Sequence, residues 1–403
     1  MNKSFLLLLT LFLLQIHCIS ESSETANNSI QKKVLAEKDI SNKNFLYNVE
    51  FLEIDTFGAT EEILFQYIGQ FVVDRTERVI IADKNDLKVF DSNNNYIKTL
   101  GRKGRGPGEF DNFGALELEN SLNKLFVYDE MLSRISVFNL NSLAFEHAIS
   151  INPKTWKHIP ELSKSQFKNF KPLNDSLLIV GLINSSDREN KVLNYLLMND
   201  TGKIVSNSLF SYKDYDLYNG QGVPKPIAPN SPVVFPSARS SIIETEIETG
   251  EYIYSSWTDY FKIFKHDKKG NTINILEYEF ENAQTDEDEI RSVYKYNKVL
   301  YAKSNKQAVN KTWPAINNFF LDDEDRIWVS TIIDDEQNYQ WYVLKNTGEL
   351  ITKFKWKGER LKRHYKEREI KLVRNGYLYT LEESPDTREK KVVKYKIVLK
   401  KKE

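Results

Sequence analysis

The sequence predicts an all-β fold, and three observations lead there. Short β-prone runs alternate with turn signals, a four-strand unit recurs six times, and no long stretch of apolar residues at helical spacing dominates the 403 residues. Apolar residues make up 40% and charged residues 28%, with 23 Phe, 21 Tyr and 6 Trp. That is material for a large core, and it is not the composition of a disordered chain. Lys plus Arg number 56 against 57 Asp plus Glu, a net charge of −1. This balance removes the electrostatic case for nucleic acid as a partner. One cysteine excludes a disulfide framework and any Cys-based zinc site. Five scattered histidines offer no His-rich metal or catalytic centre, so no cofactor or metal is expected.

Residues 1–20, MNKSFLLLLTLFLLQIHCIS, read as an export signal. Lys3 supplies the positive start, and Phe5 to Ile16 is an apolar run broken only by Thr10 and Gln15. As a helix this run spans about 18 Å at ~1.5 Å per residue, against a bilayer core of ~30 Å. It is too short to span and has the length of a secretory core. Cys18 follows directly, where a bacterial lipoprotein carries its acylated cysteine, although His17 replaces the usual small residue before it. Lipid on Cys18 would make the protein a cell-envelope lipoprotein held to a membrane. Cleavage after Ser20 would instead leave it soluble in the periplasm or secreted. Residues 21–44, rich in Ser, Asn, Lys and Glu, read as a polar linker.

From residue 45 onward the repeat takes over. In the first unit, Ile68 to Val73, Arg78 to Ala82, Leu87 to Phe90 and Tyr96 to Leu100 are strands, separated by Asp- and Asn-rich turns. The second strand recurs as KLFVYD (124–129), SLLIVG (176–181), EYIYSS (251–256), RIWVST (326–331) and GYLYTL (376–381). The third recurs as RISVFN (134–139), VLNYLLM (192–198), YFKIFKH (260–266), YQWYVLK (339–345) and KVVKYKIV (391–398). Six four-stranded antiparallel units suit a six-bladed β-propeller over residues 45–403, since radial packing protects sheet edges. The sixth unit lacks its fourth strand, and FLYNVEFLEI (45–54) is a strand without a unit. The N-terminal strand is therefore expected to enter the last blade and close the ring.

Three segments carry a family resemblance: VVDRTERVIIAD (72–83), LKVFDSNNNYIKTLGRKGRGPGEF (87–110) and FLDDEDRIWVS (320–330). They resemble NHL-like and TolB-like six-bladed propellers. The 101–110 linker is similar to the GxxGxGPGEF connection of exported propeller lipoproteins common in Bacteroidetes. The resemblance implies the propeller fold and an exported, lipid-anchored protein.

Propeller connectivity predicts an asymmetry between the two faces. Turns between first and second and between third and fourth strands are short. The connections on the other face are long: 101–112, 150–170, 211–237, 281–312 and 355–367 between blades, with 182–191, 331–338 and 382–390 within them. Binding residues concentrate on long connections over a rigid scaffold. A small ligand or protein partner is therefore expected on the face where inner strands begin. Candidate contacts are Arg105 in the glycine-rich linker, Arg239, Trp313 as an apolar wall, and Asn317 and Asn318. Residues 285–301 read as one helix capped by Thr285. No HExxH, GxSxG or paired-Cys motif is present. The expected function is a non-catalytic binding module. The alternative is a propeller enzyme, a lactonase-like metal hydrolase or a lyase, with its site at the channel mouth.

Overall fold

Turn chemistry fixes where the strands end. In the computed structural model, which describes residues 31–35, 47–59, 63–119, 121, 123–184, 191–213, 233–247, 249–362, 368–384 and 389–401, one device heads the first turn of blades one and five. Asp74 accepts from the backbone N–H groups of Thr76 and Arg78 and pairs with the Arg78 guanidinium. Asp322 does the same for Glu324 and Arg326. Third-to-fourth turns use Asp91 and Asp267, each accepting from the amides two and four residues on. These short side-chain bonds satisfy turn amides that a strand ladder cannot reach.

The strands run in chain order. β1 (Gln31–Leu35) and β2 (Tyr47–Phe57) come first and join later sheets. Blade one holds β3 (Ile68–Val73), β4 (Val79–Asp83), β5 (Asp86–Phe90) and β6 (Tyr96–Leu100). Blade two holds β7 (Phe113–Glu119), β8 (Lys124–Asp129), β9 (Arg134–Asn139) and β10 (Ala144–Ser150). Blade three holds β11 (Ser165–Pro172), β12 (Leu177–Asn184), β13 (Val192–Asn199) and β14 (Phe210–Lys213). Blade four holds β15 (Ser241–Thr245), β16 (Ile253–Trp257), β17 (Lys262–His266) and β18 (Thr272–Tyr278). Blade five holds β19 (Ile316–Leu321), β20 (Ile327–Ile332), β21 (Asn338–Leu344) and β22 (Leu350–Lys357). Blade six holds β23 (Arg368–Arg374), β24 (Tyr377–Glu383) and β25 (Lys390–Lys401), with β2 as its outer strand.

The ring closes as the missing sixth-unit strand requires. β2 lies antiparallel to β25, from Tyr47 opposite Lys401 to Phe57 opposite Val392. Lys394 of blade six pairs with Glu77 of blade one at 2.8 Å.

Among the described residues, six apolar clusters occupy the six interfaces between neighbouring blades. Alternation along a strand divides its residues between two interfaces. In β4, Ile80 and Ala82 pack toward blade two, and Val79 and Ile81 toward blade six. That is why β4 is buried at every position. Both of its faces are interior.

Two segments differ from the sequence reading. Within the polar 21–44 stretch, β1 runs parallel to β18 as a fifth, outermost strand of blade four. The 285–301 segment is two short helices, α1 (Glu287–Ser292) and α2 (Lys298–Ser304). Asp286, not Thr285, caps α1 by accepting from Asp288 and Glu289 amides, and Asn297 starts α2 by accepting from Leu300. Thr285 instead bonds the Asn310 carbonyl, so its hydroxyl serves the neighbouring connection. Cys18, the export segment and residues 219–232 of the proline-rich loop lie outside the described residues.

Candidate ligand channel

The inner strands do not pair evenly with their neighbours. In five of the six, the register with the second strand shifts near the start: between Ile68 and Phe71, Phe113 and Ala115, Phe167 and Asn169, Ile316 and Asn318, and Ile370 and Leu372. A bulge at this point re-aims the side chains that follow. Three residues beyond the bulge position come Glu117, Lys171, Phe320 and Arg374 in blades two, three, five and six.

These strands enclose a central cavity of about 810 Å³ lined from all six blades. On its blade two to four wall, one ammonium bridges two carboxylates. Lys171 Nζ lies 2.9 Å from Glu117 Oε2 and 3.0 Å from Glu244 Oε2. Each of the three side chains keeps about a fifth of its surface open to the channel (20%, 23% and 22%). Burial alone would lower the Lys171 ammonium, but the two carboxylates outweigh it and hold it above its ordinary value. Burial pushes Glu117 up against the pull of Lys171. Burial, reinforced by the charge of Glu117 and opposed by Lys171, pushes Glu244 up to about 7.

The remaining wall is mostly apolar, with Val72, Leu116 and Phe320 among its residues. Gln70 bridges blades one and two there, donating to the Gly114 carbonyl at 3.3 Å and accepting from the Leu116 amide at 3.1 Å. At the mouth on the long-connection face stand Tyr67, Lys84 and Lys390, with the Lys390 ammonium 5.0 Å from the Tyr67 ring. Toward the opposite face, Arg374 of blade six stands at the level of Glu117, and Glu119 and Glu246 come two residues after Glu117 and Glu244.

Of the five sequence-predicted contacts, Asn318 lines this cavity. Asn317 occupies the bulge of β19 and donates to Ser330 at 3.3 Å. Arg239 is bound at the blade edge, 2.7 Å from Asp259 and donating to the Ser237 and Thr312 carbonyls. Trp313 is fully buried among blade five and six residues, behind the wall it was expected to form. Arg105 is exposed in the 101–110 loop. Arg134 holds that loop by donating to the carbonyls of Arg105, Gly106 and Glu109. Gly101 there has φ +71°, and a Cβ would sit 2.3 Å from the Phe110 ring, so the loop needs its glycine for local packing. The structure thus brings together Asn318, Glu117, Lys171 and Glu244, and leaves the other four candidates outside the channel. Among the described residues, no three His, Cys, Asp or Glu side chains group as a metal site.

The helical insertion is fastened beside the channel rather than across it. Arg360 grips Glu289 of α1 through two 2.8 Å bonds, with its guanidinium 5.3 Å from the Trp313 ring. Ile290 is fully buried beneath. Removing one partner of a buried pair costs about 3–5 kcal/mol. Arg360→Ala is therefore expected to expose α1 and α2 to limited proteolysis before the ring unfolds. Unchanged cleavage at 287–304 would count against this fastening.

The fold and channel together define a six-bladed propeller with a charged axial cavity. A profile of the DUF5128 family, described as a 6-bladed beta-propeller, matches residues 20–217. No curated protein matches the chain significantly. Among solved structures, a member of the duf4221 family from Bacteroides vulgatus ATCC 8482 is similar at a TM-score of 0.52 and 12% identity, covering 88% of this chain and 99% of that one. A Bacteroides fragilis NCTC 9343 protein named "Putative exported protein" is similar at a TM-score of 0.47 and 10% identity, covering 92% of this chain and 100% of that one. At such identity the likeness concerns the fold alone.

Proposed function

We propose that this protein is an exported propeller, tethered to the cell envelope by lipid on Cys18, that binds a ligand in its axial channel or a partner over the long-connection face. The observation that carries this reading is the cavity itself: six inner strands surround about 810 Å³ and leave charged groups partly open to it. Ligand sites favour such concave, mostly apolar spaces with a few placed polar groups. A second observation supports the choice of face. Exposed large apolar side chains there include Leu64, Tyr67, Met131, Tyr260 and Tyr296, against Val205 in a third-to-fourth connection on the other face. Export rests on residues 1–20.

Two measurements test the reading. Wild-type protein made in a lipoprotein-processing host is expected to partition into detergent, and Cys18→Ser into water; equal partitioning would remove the tether. Native mass spectrometry of protein purified from its own envelope is expected to show a bound mass that Ala115→Trp, which fills the channel, abolishes. Retention of that mass in the variant, or a turnover lost on channel substitution, would overturn the binding role.

A further inference from the structure

The charges along the channel are ordered. At the long-connection mouth, Lys84 and Lys390 sit on blades one and six, and Lys371 follows at the bulge of β23. Three residues further down the inner strands, about 10 Å at ~3.3 Å per residue, lies the Glu117–Lys171–Glu244 group. There two carboxylates face one ammonium on the blade two to four wall, Arg374 of blade six stands at the same position past its bulge, and Glu119 and Glu246 follow below, so the lower lining carries four carboxylates against two cations. Between these levels the lining is short or uncharged: Gln70, Ala115, Asn318 and Leu372. A ligand entering from the mouth therefore passes positive charge first, then an uncharged stretch, then a deficit of positive charge.

We propose that the channel binds an elongated zwitterion, with its cationic end on Glu117 and Glu244 and its anionic end between Lys84 and Lys390. This rests on reading the channel as the binding site. The carbon skeleton would lie against Val72, Leu116 and Phe320. A ligand cation supplies at the triad the charge that a proton on Glu244 otherwise supplies, since that carboxyl is pushed up to about 7. Binding near neutral pH is thus coupled to proton release.

The test is calorimetric titration of the intact mature protein with 6-aminohexanoate, hexylamine and hexanoate. The zwitterion is expected to bind at least tenfold more tightly than either singly charged analogue. Its heat is expected to change between phosphate and Tris at pH 7, as released protons are taken up. Glu117→Gln/Glu244→Gln should bring 6-aminohexanoate down to the level of hexanoate, and Lys84→Ala/Lys390→Ala to the level of hexylamine. The wild-type series decides the matter even if a variant fails to fold. Equal affinity for hexylamine and 6-aminohexanoate, or no binding by any of the three, overturns the zwitterion. If native mass spectrometry still finds a channel-dependent bound mass, the binding reading survives that failure. If it finds none, both fall.

Discussion

A chain lacking residues 1–58 is expected to lose its cooperative unfolding transition and to aggregate at 25 °C. The reason is the register of β2. It pairs with β25 from one end to the other and carries Phe57, which is fully buried in the interface between blades six and one. Phe51 on the same strand stands 4.9 Å from the Phe354 ring and 5.1 Å from Trp356, so β2 also covers blade five. Burying one large apolar side chain contributes roughly 1.5–3 kcal/mol, and whole domains are stable by about 5–15 kcal/mol. Removing Phe51, Phe57 and the ladder together consumes that margin. It also turns β25, twelve residues long, into an exposed edge carrying Ile397, Val398 and Leu399. The rescue follows from the same register. Tyr47 lies opposite Lys401, so residues 47–58 fused after Lys401 through a short turn form a hairpin in place. Circular dichroism melts should show one sharp transition for the fusion and none for the truncation. A truncated chain that melts like the full one would refute ring closure as a source of stability.

The closing strand was legible because a repeat makes absence visible. The sixth unit ends at its third strand, and a lone strand stands at the other end of the chain. Strand ends were legible for a local reason: Asp74, Asp91, Asp267 and Asp322 bond their own turns, so the signal lies within five residues. The channel was not legible in that way. Glu117 in FGALELE, Lys171 in SQFKNFKP and Glu244 in SIIET alternate with apolar neighbours just as solvent-facing residues of a half-buried strand do. Nothing in one strand distinguishes water outside the ring from the cavity inside it. The available signal was relational: charges of alternating sign at one position of three consecutive inner strands. Arg239 and Trp313 stand just before inner strands, where polar and aromatic residues also lock blades together. The 285–301 segment is two helices because Asn297 caps the second one, accepting from the Leu300 amide.

Lys171→Met is expected to destabilise the protein by about 3–5 kcal/mol at pH 8, the range for stripping one partner from a buried ionic group. The substitution keeps the stem's volume and leaves Glu117 and Glu244 facing each other without a cation. The defect should shrink on acidification, because protonation then removes the repulsion. The wild-type protein already carries a weaker form of this dependence. Glu244 is raised in the folded state from 4.5 to about 7. A carboxyl whose folded pKa lies above its unfolded one binds its proton more tightly when folded. Its stabilising contribution is therefore complete below about pH 4.5 and is lost as pH rises through 7. With the discount that channel water imposes, the loss between pH 5 and pH 8 is on the order of 2 kcal/mol at ~1.4 kcal/mol per pKa unit. Glu244→Gln cannot titrate and keeps the Lys171–Glu117 pair. Denaturant titrations from pH 5 to pH 8 should therefore show wild type losing stability relative to Glu244→Gln, and Lys171→Met losing more than wild type. Parallel profiles for wild type and Glu244→Gln would mean that Glu244 is ionised throughout this range. The triad would then be an ordinary solvated ion pair rather than a cation-deficient site in the wall of the ring.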